Sequence, residues 1–188
     1  MLALQDRGCH NINLVSPTHM LHPILQALLA AVPLGLRLPL VYNSGGYDAA
    51  GALRLLDGVF DIYMPDFKYG DAGYGQRLSG VPDYPQRARE AVAEMHRQVG
   101  DLRVDERGVA FRGLLVRHLV LPEGLAGTWE VMSFLGGLSR DTCVNVMGQY
   151  HPAYRAREHP AMGRRLTRRE VEEGVSLARE AGLRRVLR

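Results

Sequence analysis

Segments typical of strands alternate with segments typical of helices along most of the chain, with short turns between them. Five strand-like segments cover residues 11–15, 38–42, 60–64, 114–121 and 142–147. Helix-like segments cover residues 19–31, 48–56, 87–99, 127–135 and 167–181. Because such alternation favours parallel strands joined by right-handed crossovers, the sequence predicts an α/β fold. The pattern alone does not separate an open doubly wound sheet from part of a barrel.

Two further segments are predicted to lie outside this alternation. Residues 71–85 are rich in glycine and proline, and we expect a loop above the strand ends there. Residues 101–112 are typical of a small hairpin inserted into one domain that spans residues 1–188. At the first helix, Thr18 is a candidate N-cap.

Composition is that of a soluble globular protein, with 46% hydrophobic and 23% charged residues. The longest apolar stretch, residues 27–36, is too short to span a bilayer, and no secretory signal pattern opens the chain. We therefore expect a cytoplasmic protein without a membrane partner. From Arg155 onward ten arginines face five glutamates, but mixed signs and few aromatic residues favour a solvated helix over nucleic-acid binding.

Metal-binding patterns are weak. Cys9 and Cys143 are far apart in apolar segments, so we expect two reduced core thiols and no metal ligands. His19 and His22 are three residues apart and could share a helix face, with Cys9 or His10 nearby. Without a further clear ligand, a metal site there is the weaker alternative.

Asp66 and Lys68 are the strongest candidates for binding chemistry, because side chains at the carboxyl ends of parallel strands form the sites of such folds. They are two residues apart and face the same way in extended backbone, where they could hold a zwitterion or a ribose. A salt bridge at a strand end is the alternative. Lys68 is the single lysine among 23 basic residues, which indicates a need for a compact ammonium.

Other strand ends carry weaker candidates. Asn43 and Ser44 precede two glycines, a pattern that suits either close approach to a ligand or a simple turn. Arg117 interrupts an apolar strand and needs a partner, either an anionic ligand or an internal carboxylate. His151 follows the fifth strand in a loop.

Four segments, residues 8–19, 42–48, 61–69 and 117–122, resemble in order and spacing an uncharacterised branch of the radical S-adenosylmethionine (SAM) proteins. This branch is related to pyruvate formate-lyase activating enzyme. The resemblance implies a partial (β/α)6 barrel, of which about five parallel strands would be present here. In that family a CxxxCxxC loop holds a [4Fe–4S] cluster that cleaves bound SAM reductively, and the radical formed abstracts hydrogen from a substrate, which can be a partner protein.

The resemblance also assigns contacts to SAM. Asp66 and Lys68 match the family's Asp-x-Lys, Arg117 matches an inward arginine, and His151 matches a histidine after the last strand. Ser16 and Thr18 stand where many members carry Gly-Gly-Glu, so their oxygens are expected near the SAM amino group. The full set of expected cofactor-binding residues is Ser16, Thr18, Asn43, Ser44, Asp66, Lys68, Arg117 and His151.

No CxxxCxxC motif occurs in the chain, so we expect a radical SAM barrel truncated before its second strand, with no cluster ligands and no cleavage of SAM by this chain alone. No catalytic residue is assigned. The alternatives are a non-catalytic SAM-binding or interaction module, and another α/β enzyme fragment with a metal or phosphate site. Expected partners are a protein substrate and, through an uncovered edge strand, a second copy of the chain.

Overall fold

The computed structural model describes all 188 residues, which form an α/β fold. The strands are β1 (Ile12–Val15), β2 (Leu40–Ser44), β3 (Ile62–Pro65), β4 (Arg103–Val104), β5 (Ala110–Leu119), β6 (Cys143–Met147) and β7 (Arg185–Leu187). The α-helices are α1 (Leu2–Asp6), α2 (Leu21–Ala31), α3 (Ala50–Arg54), α4 (Ala72–Ser79), α5 (Tyr84–Val99), α6 (Thr128–Leu138) and α7 (Arg168–Glu180). Short 3-10 helices cover Pro17–Met20, Pro122–Gly124 and Tyr154–Glu158.

Six of the seven strands form one parallel path in the order β1-β2-β3-β5-β6-β7, and β4 pairs antiparallel with β5 outside it. The strand order never reverses, so right-handed crossovers place the connecting helices on the same face of the sheet. A doubly wound sheet would need a reversal. The α/β prediction is confirmed, and the sheet is open and singly wound, with β1 and β7 as its edges.

The two faces of the sheet differ sharply. One face packs on the helices in a core of 33 buried residues, to which Tyr42, Val116 and Val144 contribute. The other face holds a much smaller buried cluster of Val41, Ile62, Leu102 and Cys143, to which no helix contributes. We call this second side the open face.

The β4–β5 region covers the amino-terminal part of the open face. Leu102, just before β4, lies in the small cluster, and Ala110 at the start of β5 packs against it. Arg103 of β4 pairs with Arg112 of β5 in the antiparallel direction. β5 is ten residues long, and its later residues pair in the parallel sheet. The β4–β5 region does not cover the open face at the carboxyl ends of the strands, where polar side chains lie.

Several elements differ from the sequence-based expectation, among them α1, which was not predicted. The segment predicted as a loop at 71–85 contains α4, because the Asp71 carboxylate accepts hydrogen bonds from the backbone of Gly73 and Tyr74, and Gly80 ends the helix with φ of 69°. β7 was not predicted, since its three residues carry too short a pattern, and it lengthens the parallel path to six strands. No helix is both long enough and apolar enough to cross a membrane.

His118 is a buried polar residue in the core beneath the strand ends. Its Nδ1 lies 2.7 Å from the Phe67 carbonyl oxygen and its Nε2 lies 3.0 Å from Thr128 Oγ1, so it joins β5 to the chain after β3 and to α6. Burial lowers the pKa of His118 from 6.5 to about 4. The imidazole is therefore neutral at pH 7, with Nδ1 donating to the carbonyl and Nε2 accepting from the hydroxyl.

This environment predicts an acid-sensitive fold. Below pH 6.5 the unfolded chain takes up a proton at His118 that the folded protein takes up only near pH 4, so stability falls as the pH falls through that window. At pH 5 the loss from this group is about 2 kcal/mol. Urea unfolding at pH 7.5 and pH 5 measures it in the wild type and in His118→Gln, which cannot titrate. An equal loss in both proteins would contradict the assignment.

Candidate ligand-binding site at the strand ends

Four of the predicted site residues meet on the open face at the carboxyl ends of β2, β3 and β5. Lys68 Nζ lies 2.7 Å from Asp66 Oδ2, and Arg117 Nη2 lies 2.7 Å from Asp66 Oδ1. Arg117 Nη2 also donates to Asn43 Oδ1 at 2.8 Å. Asn43, Asp66, Lys68 and Arg117 thus form one continuous network, which we call the strand-end cluster.

Strand register explains why these residues meet. Asp66 is the parallel bridge partner of Arg117, and the adjacent Phe67 N–H donates to the Arg117 carbonyl at 2.8 Å. Alternation along a strand sends neighbouring side chains to opposite faces. Tyr42 and Val116 lie in the helix-packed core, so Asn43 and Arg117, each one residue further on, lie on the open face.

The charges of the strand-end cluster do not cancel. One carboxylate faces two cations, which leaves a net charge of +1 on the three ionised side chains. Arg117 Nε is buried and has no hydrogen-bond partner. Asp66 Oδ1 also has no hydrogen bond, although Arg117 Nη2 is 2.7 Å away, so this contact is an ion pair without hydrogen-bond alignment. The excess positive charge of the cluster therefore suits an anionic group.

The cluster is accessible from solvent. The side chains of Lys68, Asp66 and Arg117 are 46%, 21% and 26% exposed, so the lysine is at the mouth and the other two lie deeper. A ligand could replace water at Lys68 without unfolding any element. The internal carboxylate expected for Arg117 is Asp66, and the guanidinium is only partly satisfied by it.

Tyr84 holds the two loops that carry the cluster. Its hydroxyl lies 2.9 Å from the Gly45 carbonyl and 3.0 Å from the Asp66 carbonyl, and it accepts the Lys68 backbone N–H at 2.9 Å. Tyr47 stacks on its ring with centroids 6.0 Å apart. The sequence reasoning missed Tyr84, because its position at the start of α5 falls in the segment expected to be a loop.

Gly46 allows the loop after β2 to approach the loop after β3. Its φ is +76°, and a Cβ at this position would lie 2.1 Å from the Asp66 carbonyl oxygen. A larger residue would force the two loops apart. Glycine at this position is therefore explained by the close backbone contact with Asp66.

Ser44 and Thr18 lie apart from the cluster. β2 continues through Ser44, two residues further than expected, and alternation turns Ser44 to the helix side. Its hydroxyl donates to the buried Asp48 carboxylate at 2.7 Å, and Thr18 donates to the same carboxylate at 2.7 Å. Thr18 is not an N-cap, because it lies within the 3-10 helix and α2 begins at Leu21. Asp48 fixes the turn after β2 and was not predicted.

Ser16 and His151 occupy the rim of the sheet. Ser16 adopts a left-handed backbone with φ of 52°, and its N–H donates to the Asn43 carbonyl at 2.8 Å. His151 follows β6 and is exposed. Neither side chain forms a hydrogen bond or an ion pair with the strand-end cluster.

Metal-ligand side chains do not converge in this chain. No group of three or more His, Cys, Asp or Glu side chains could hold a metal ion, so His19 and His22 have no third ligand. Cys143 is buried beneath the open face and Cys9 is partly exposed near the amino terminus.

Comparison with known proteins finds similarity to an uncharacterized protein. No family model matches this chain. The chain is 35% identical over 176 residues to the uncharacterized protein MJ0674 of Methanocaldococcus jannaschii. The alignment covers 92% of this chain and 47% of that protein, so the chain spans about half the length of the curated relative it matches.

The position of the Tyr84 hydroxyl predicts that Tyr84→Phe lowers the free energy of unfolding by about 2 kcal/mol, because the Lys68 N–H loses its acceptor and two carbonyl oxygens lose the one proton that they share. Tyr47→Phe is the matched control, since its hydroxyl contacts only the exposed Asp83 carboxylate. Its expected loss is below about 0.5 kcal/mol. Urea unfolding measures both variants, and equal losses would contradict the role given to Tyr84.

Proposed function

We propose that the strand-end cluster binds S-adenosylmethionine, and that the chain is the barrel wall of a radical SAM protein related to pyruvate formate-lyase activating enzyme. The observation that carries the proposal is the convergence of Asp66, Lys68 and Arg117 on one open face. These are the residues that the resemblance assigns to SAM. The proposed localisation is the cytoplasm.

The architecture supports the barrel part of the proposal. Parallel sheets usually bury both faces, yet here the helices pack on one face and the other carries a polar cluster above a small apolar one. In a β/α barrel the strand order also has no reversal, so the helices pack on the outer face and the other face lines the interior. In such a barrel the site lies at the carboxyl ends of the strands, which is where the cluster lies.

The chemistry of the cluster suits SAM. The ligand carries a carboxylate, an ammonium, a sulfonium and two ribose hydroxyls. Lys68 at the mouth and the partly exposed guanidinium of Arg117 are donors for the carboxylate, and Asp66 is an acceptor for the ammonium or the hydroxyls. The Asn43 amide, already bonded to Arg117, holds the guanidinium in place.

The residues present do not fit a [4Fe–4S] cluster. Such a cluster needs several cysteine thiolates close together, and the chain has two cysteines, of which Cys143 is buried in the small cluster below the open face. Burial also raises the pKa of the Cys143 thiol, which disfavours the thiolate. We therefore assign SAM binding to this chain and no reductive step.

Isothermal titration calorimetry with SAM tests the proposal. We expect saturable binding at one site in the wild type and a loss of at least about tenfold in affinity in Lys68→Met, which keeps the side-chain length without the charge. Lys68→Arg should also bind more weakly, because a planar fork replaces a compact ammonium.

Arg179→Ala is the control for overall charge, since Arg179 is exposed near the end of α7 and forms no ion pair. Its affinity for SAM should match that of the wild type. A wild-type protein that shows no heat of binding at millimolar SAM would overturn the proposal. So would an affinity that is the same in Lys68→Met and wild type.

A further inference from the structure

We infer that Asn145, on β6, is a further ligand-binding residue that lies beside the strand-end cluster. The inference rests on the proposed function, because the ligand in question is the one bound by Asp66, Lys68 and Arg117. Nothing in the sequence pattern singled out Asn145, which lies between two valines in an otherwise apolar strand.

Register places Asn145 directly beside Arg117. In the parallel pairing of β5 with β6, Arg117 is opposite Asn145, and Asp66 is opposite Arg117 on the other side. Asp66, Arg117 and Asn145 therefore form one row across three neighbouring strands. Adjacent strands are about 4.8 Å apart, so a ligand that reaches Arg117 also comes within reach of Asn145.

Asn145 lies on the open face. Its neighbours Val144 and Val146 are fully buried in the helix-packed core, whereas Cys143 belongs to the small cluster on the open face. Alternation then directs Asn145 and Met147 to the same side as Cys143. Both are partly exposed, in contrast to the buried residues between them.

The amide of Asn145 has no partner within the protein. It takes part in none of the side-chain hydrogen bonds of the molecule, whereas the side chains of Arg117 and Asp66 each take part in one. Asparagine is also disfavoured in strands, where valine or isoleucine would pack better. Because Asn145 is partly exposed, its amide is available to a ligand that reaches the adjacent ion pair.

The chemistry of this residue complements that of its neighbours. Asp66, Lys68 and Arg117 recognise charged groups, whereas a neutral amide offers one acceptor and two donors in a fixed plane. Such a group suits the neutral polar part of the ligand, the ribose hydroxyls or the edge of the base. Asn145 therefore adds discrimination that charge alone does not supply.

The variant Asn145→Val tests the inference. Valine is a strong strand former and matches its neighbours in β6, so the variant should unfold at a urea concentration equal to or above that of the wild type. Its affinity for SAM, measured by calorimetry, should fall about tenfold, as expected for one lost hydrogen bond. Asn13→Val, an exposed asparagine on β1, is the matched control and should bind like the wild type.

The outcomes separate this inference from the proposed function. If the wild type binds SAM and Asn145→Val binds equally well, Asn145 is not a ligand contact and the proposed function stands. If Asn145→Val loses stability as well as affinity, the amide has a structural role and the inference is overturned. If the wild type does not bind SAM, the proposed function is overturned, and the inference that rests on it is overturned with it.

Discussion

The ion pair between Asp66 and Arg117 depends on the parallel pairing of β3 with β5, and the candidate site depends on that ion pair. A guanidinium in the middle of a sheet is costly to desolvate unless acceptors surround it. Asp66 supplies one from the neighbouring strand and Asn43 supplies another from the strand beyond. The arrangement leaves the buried Arg117 Nε without a hydrogen-bond partner, so the guanidinium is only partly satisfied by the protein.

Because the sheet is singly wound, the ion pair lies on a face that no helix covers. Because the helices pack on one face, polar groups on that side must be satisfied within the core, as His118 is by Phe67 and Thr128, and Asp48 is by three hydroxyls. Polar groups on the open face can instead be completed by a ligand. This difference between the two faces follows from the strand order, which places all the crossover helices on one side, and not from any single residue.

Sequence reasoning located the main charges of the site but not their surroundings. Asp66 and Lys68 could be predicted as a pair, because a spacing of two in extended backbone fixes their common direction. Ser44 could not be placed, because its direction depends on where β2 ends, and the strand runs further than its apolar residues indicate. Tyr84, Asn145 and Asp48 could not be found, because their roles depend on contacts between segments distant in sequence.

Whether the sheet closes into a barrel also cannot be predicted from the local sequence pattern. Alternating strands and helices specify parallel pairing and crossover hand, whereas closure depends on the number of strands and their stagger. The open sheet seen here and the proposed barrel share every local feature of the chain. What distinguishes them is whether the edge strands are brought together, so that the open face lines an enclosed interior.

The single lysine allows a direct test of the central claim, that a ligand occupies the open face at Asp66, Lys68 and Arg117. Selective labelling with nitrogen-15 lysine gives one backbone amide signal, from Lys68, whose N–H is bonded to Tyr84. Titration with SAM should shift this signal progressively until it saturates at one equivalent of bound ligand. A signal that does not move at saturating SAM would contradict the account.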